Sequence, residues 1–201
     1  MGNAPENENR AEIVGTCRPQ GLSQQVAQRL GCTVFSRMPL FLLLLTFLSG
    51  LRTGPAPRAT VIVFLADTCP ISQAATLPLR ELHAQYAAQG VRFVGVFPAA
   101  ETTPAALAEF AKTYRVPFAL QADPGHRLTR QWHARVTPEV VVVAADGRTA
   151  LYQGRLNDAY AGLGQHRPVT RRHELADALA AVVAGRPVAV PRTEPVGCFI
   201  E

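Results

Sequence analysis

The chain has 201 residues, 48% of them hydrophobic, enough for one domain with a substantial core plus an appendage. Its formal charge of +5 comes from 19 Arg and one Lys, yet from Ala59 onward 14 basic and 12 acidic residues nearly balance. No basic run is interleaved with aromatics, so the composition argues against nucleic acid as a partner.

Residues 1–58 differ from the rest. Met1 to Arg37 is polar and without sustained periodicity. A run from Pro39 to about residue 51 follows, dominated by Leu and Phe. About a dozen apolar residues is short for a bilayer span but suits the hydrophobic region of a signal peptide. Arg29 and Arg37 precede it and Gly54-Pro55-Ala56-Pro57 follows. The expectation is export, to a periplasmic or extracellular location. A retained membrane anchor, then the protein's sole membrane contact, and a buried core helix are the alternatives. Met38, directly before the run, is a second candidate start. Of four cysteines, Cys17 and Cys32 lie in this segment; Cys69 and Cys198 remain to the domain, too few for a disulfide scaffold but enough for a redox pair.

Thr60–Leu65 reads as a buried strand. It runs through Ala66-Asp67-Thr68 into Cys69-Pro70-Ile71-Ser72, where a helix opens and extends to Gln89, bent at Pro78 and stopped by Gly90. A thiol at a helix N-terminus faces unpaired N–H groups and the positive end of the dipole, which favour the nucleophilic thiolate. Pro70 suits the first helical position. Ser72 stands where a second cysteine would complete Cys-x-x-Cys. It serves either as a capping hydroxyl or as a donor to the thiolate, and Thr68 is placed for the same work.

Val91–Phe97 is a second buried strand, and Thr103-Pro104 begins a helix with Leu107, Phe110, Ala111 and Tyr114 on one face. Val116–Leu120 reads as a short edge strand, and Asp123-Pro124-Gly125 turns into a short helix with Leu128 and Trp132. Val136-Thr137-Pro138-Glu139 leads into Val140–Val143, and Asp146-Gly147 joins this run to Thr149–Tyr152 as an antiparallel hairpin. Arg172–Ala184 is a last amphipathic helix. This order predicts an α/β domain over residues 59–186, a central mixed β-sheet flanked by helices on both faces. Residues 187–201 form a Pro-rich tail bearing Cys198. Glu139 reads as a rim charge and Trp132 as core.

The element order, with Thr-Cys-Pro-Ile-Ser at the first helix, Thr-Pro-Glu-Val before the hairpin, Gly-Arg-Leu-Asn-Asp after it and a terminal Gly-Cys-x-Ile, resembles the thioredoxin-like fold. More narrowly it is similar to the redoxin branch of alkyl hydroperoxide reductases and thiol-specific antioxidant proteins, in its exported bacterial form. The resemblance spans roughly Thr60 to Glu201. It implies that Cys69 is the attacking cysteine, that Pro138 is a cis-proline facing it, and that Thr137 offers backbone hydrogen bonds to a bound chain. Catalytic roles then fall to Cys69, Ser72 and Cys198, and substrate contacts to Thr68, Pro70, Thr137 and Pro138.

The expected function is thiol–disulfide exchange with protein or small-molecule thiol partners, without a cofactor. From Gly185 the tail holds thirteen residues up to Cys198, a reach of ~40 Å if extended, so Cys198 can fold back to resolve a mixed disulfide on Cys69. Alternatively it is a tail cysteine with no partner, or one that pairs with another chain. Peroxide reduction through a sulfenic acid on Cys69 is the second chemistry, although Ala66 stands where peroxidases of this group carry Thr or Ser. Asp67, a like charge beside the thiolate, would raise the thiol pKa. A non-catalytic binding or copper-handling module is the reading of a different class. The five histidines show no metal-ligand spacing, and no metal site is expected.

Overall fold

The computed structural model describes residues 57–201. The candidate signal or anchor segment at 39–51 and the cysteines at 17 and 32 lie outside the described residues. Among the described residues no helix is long and apolar enough to cross a membrane.

Strand β1 (Ala59–Phe64) is the centre of the sheet. Helix α1 (Pro70–Tyr86) runs unbroken across Pro78 and passes into a 3-10 turn, Ala87–Gln89. Gly90, at φ +85°, ends it in a left-handed conformation that suits a residue without Cβ. Then come β2 (Val91–Phe97) and α2 (Pro104–Thr113), whose first turn is capped by Thr103 Oγ1 accepting from Ala106 N at 3.1 Å. β3 (Ala119–Ala122) starts later than the sequence predicts, with its pairing to β2 opening at Ala119 opposite Val94. Pro117 cannot donate to a ladder, and Arg115 at φ +52° turns the chain just before it.

Helix α3 (Arg127–Trp132) leads to β4 (Val136–Thr137). β5 (Glu139–Ala144) and β6 (Ala150–Gly154) form the expected hairpin across Asp146, whose carboxylate accepts from Arg148 N and Thr149 N. A small hairpin, β7 (Tyr160–Gly162) and β8 (Gln165–His166), precedes α4 (Glu174–Val183). It carries no alternating apolar pattern that the sequence could announce. The tail ends in β9 (Cys198–Phe199).

The main sheet has the order β3-β2-β1-β5-β6: β1, β2 and β3 are parallel, whereas β5 and β6 are antiparallel to their neighbours. Period-two alternation along β1 divides the core. Val61 and Val63 pack with Leu79 of α1, Phe110 of α2 and Leu175 and Leu179 of α4. Ile62 and Phe64 face the opposite side with Trp132, Ala134 and Val141. Helices thus cover both faces. This is the thioredoxin-like architecture, and it leaves the C-terminal end of β1 open beside the N-terminus of α1.

Candidate active site

Cys69 is the N-cap of α1, extended at φ −90° and ψ 114°, with Pro70 at the first helical position. It is only 1% exposed. As a thiol, its Sγ donates to the Thr137 carbonyl at 3.1 Å. Thr137 is buried, and the Thr137–Pro138 peptide is cis, as the resemblance implies.

Burial pushes the Cys69 pKa up, but donors outweigh it and leave the thiol below its ordinary value. Those donors are the Cys198 thiol, the Ser72 backbone N–H, the Cys198 backbone and the Ser72 hydroxyl. Ser72 is fully buried, and its Oγ also accepts from Ala66 N at 3.3 Å. One hydroxyl therefore ties the end of the strand loop to the sulfur. Asp67 is exposed, and its Oδ1 accepts from Thr68 N at 2.9 Å. Thr68 and Pro70 are exposed on the rim.

The structure brings Cys198 to Cys69. β9 pairs antiparallel with β4, Cys198 opposite Thr137 and Phe199 opposite Val136. Both thiols are free, Cys69 buried and Cys198 partly exposed. Burial, the hydrogen bond it gives to Cys69 and the charge of that sulfur push the Cys198 pKa up to about 11.

The tail reaches this place along a built track. Gln153 N donates to Pro191 O and Thr193 N to Gln153 O, at 2.9 and 3.0 Å. The Thr193 hydroxyl bonds to Tyr152 Oη at 2.7 Å and accepts from Arg155 N at 3.1 Å. Gly154, at φ +149°, lets Thr193 lie where a Cβ would be. Arg135 pairs with Glu194 at 2.7 Å, and Ile200 N donates to Arg135 O at 3.0 Å. Gly197 lies so close to Thr137 and Pro138 that any Cβ would enter their backbone.

Glu139 departs from its expected place. It is 2% exposed rather than on the rim. Its carboxylate accepts from Arg135 N at 2.9 Å and from Gln153 Nε2 at 2.8 Å. Gln153 Nε2 in turn donates to Trp132 O. Glu139 therefore braces the loop that carries Thr137 and Pro138. Only its place directly after Pro138 could have signalled this, since its partners come together through the fold. The Gly-Arg-Leu-Asn-Asp segment also has structural work. Arg155 Nε pairs with Glu174 at 2.8 Å, and Asp158 Oδ1 accepts from Arg171 N and Arg172 N at 2.7 and 2.9 Å. A cleft of about 340 Å³ opens beside Pro138, walled by Ile71, Leu77, Pro78, Tyr160 and His166. Among the described residues no three His, Cys, Asp or Glu side chains gather as a metal-binding group.

A buried Cys69 followed by Pro70 at the start of the first helix, a cis-proline opposite it and a mixed five-stranded sheet define a thioredoxin-like redoxin. The chain belongs to the AhpC/TSA family, which it matches over residues 50–150. An uncharacterized conserved protein from Geobacillus kaustophilus is 25% identical with a TM-score of 0.64, covering 72% of this chain and 77% of that one. A hypothetical protein from Sinorhizobium meliloti 1021 shares the fold at 23% identity and TM-score 0.64, over 72% and 80% of the two chains. A secreted disulfide oxidoreductase of Mycobacterium tuberculosis superposes less closely, with TM-score 0.46 and 21% identity over 62% and 81%. No curated protein sequence matches significantly.

Proposed function

We propose that the protein is an exported thiol–disulfide oxidoreductase in which Cys69 attacks and Cys198 resolves. The observation that carries this reading is the placement of Cys69: N-cap of α1, facing the cis Pro138, its Sγ on the Thr137 carbonyl at 3.1 Å and Cys198 paired opposite that same Thr137. In the first step the Cys69 thiolate attacks one sulfur of a partner disulfide. The partner's other sulfur leaves with the bonding pair as a thiolate, and a Cys69–partner mixed disulfide forms. Cys69 then carries no charge, so the repulsion that helped to raise the Cys198 pKa disappears. Cys198, deprotonated, attacks Cys69 Sγ and expels the partner's second sulfur. The partner disulfide ends as two thiols and the pair as a Cys69–Cys198 disulfide, two electrons having moved; an external thiol donor restores it.

Thr68 and Pro70 on the rim, and the cleft beside Pro138, give a partner's flanking residues a surface. Export is supported by the apolar run at 39–51.

The test is catalytic reduction of a protein disulfide such as that of insulin, with a dithiol as electron source. Cys69→Ser reduces turnover to background. Cys198→Ser accumulates the mixed disulfide on Cys69. Turnover that survives Cys69→Ser contradicts the reading, and Cys69-dependent consumption of hydrogen peroxide without insulin reduction replaces it with peroxidase chemistry.

A further inference from the structure

The tail lies on the active site as a peptide would. β9 is an extended segment paired antiparallel with the two residues before the cis-proline. Its cysteine stands opposite Thr137, the residue whose carbonyl accepts from Cys69 Sγ at 3.1 Å. The residue before that cysteine is Gly197, where a Cβ would run into the Thr137 carbonyl and the Pro138 nitrogen. These are main-chain atoms, held by Glu139 through Arg135 N and through Gln153, and they cannot swing aside as a side chain would. The residue after the cysteine is unconstrained, since Phe199 is 77% exposed.

We propose that the polypeptide partners of Cys69 are extended Gly-Cys segments that bind β4 in the place of the tail, with glycine required directly before the reacting cysteine. This rests on the mixed-disulfide reading above and specifies its substrate. A partner strand that puts its cysteine sulfur against Cys69 pairs with Thr137 in the register that Cys198 uses, so its preceding residue falls on the site of Gly197. Any side chain there meets backbone, and either the strand lifts or the sulfur is displaced. Substrate and tail exclude each other. Resolution by Cys198 then follows once the bound strand has lifted from β4 and swung its sulfur away, so that the returning tail's thiolate attacks Cys69 Sγ in line with the departing sulfur.

The test uses the reduced full chain carrying Cys198→Ser and two peptides, Pro-Val-Gly-Cys-Phe-Ile and Pro-Val-Ala-Cys-Phe-Ile, each activated at cysteine as a mixed disulfide with thionitrobenzoate. The Cys69 thiolate attacks the peptide sulfur, and thionitrobenzoate leaves as a coloured thiolate, so the rate is read directly. The background from other cysteines is taken from the variant that also carries Cys69→Ser. The glycine peptide reacts at least about tenfold faster than the alanine peptide, as a main-chain clash in the reacting geometry demands. Equal rates, both dependent on Cys69, overturn the glycine requirement and leave the oxidoreductase reading intact. Release no faster than in the Cys69→Ser background overturns that reading and this proposal with it.

Discussion

Cys69 illustrates how a buried sulfur becomes reactive by its neighbours. Burial alone would make it an inert thiol, since removal from water disfavours the charged form. The Ser72 N–H and hydroxyl and the groups of Cys198 reverse this by donating to the sulfur where water cannot compete. Ser72→Ala removes the hydroxyl donor while the N–H remains. Its Cys69 pKa therefore rises, and its disulfide exchange at neutral pH slows while the rate at high pH changes little; a pH–rate profile of both proteins checks this. Because the pKa of Cys69 is lowered, exchange gains rate as pH rises only up to that pKa and then levels off, at a pH below that of an ordinary thiol. Glu139 acts by holding the opposite wall. Glu139→Ala leaves Arg135 N and one Gln153 Nε2 contact without an acceptor, a loss of about 1–3 kcal/mol for each orphaned group, read from urea unfolding.

At the scale of elements, the strand-to-helix junction was legible and the tail contact was not. An unbroken apolar strand, Cys-Pro and a helical repeat lie next to one another in the chain, so Cys69 at the N-cap follows from local rules. Chain length merely permits Cys198 to return. What brings it back is the fit of Thr193 against Gly154 and of Gly197 against Thr137, two close approaches between residues far apart in sequence. Edge pieces were missed for a related reason. β7 and β8 are short and lack an apolar face, so their pairing leaves no periodic trace. If Gly197 is what lets the tail settle, Gly197→Ala lifts it. Compared at a pH where Cys69 is ionised in both proteins, the reduced variant then alkylates at Cys69 about tenfold faster or more than the wild type, because a residue 1% exposed loses its cover. Unchanged alkylation would mean that the tail does not shield the sulfur.

On the scale of the whole molecule, the reactive end is carried by a core that takes no part in the chemistry. Leu79, Leu175 and Leu179 are fully buried between the helices and the sheet. Leu79→Ala costs about 2–5 kcal/mol by lost burial and the cavity it leaves, and urea midpoints measure it. The Cys69 pKa stays as in the wild type in that variant, since Leu79 is absent from the groups that set it. The account as a whole stands on Cys69 being a stabilised thiolate. The most direct measurement is the pH titration of thiolate ultraviolet absorbance in the reduced protein, in which the transition lost in Cys69→Ser is assigned to Cys69 and the Cys198 transition is fitted separately in each protein. A Cys69 transition centred below the ordinary thiol value of 9.0 is what the account predicts. A transition at or above that value would contradict it, leaving Cys69 a buried thiol governed by its desolvation.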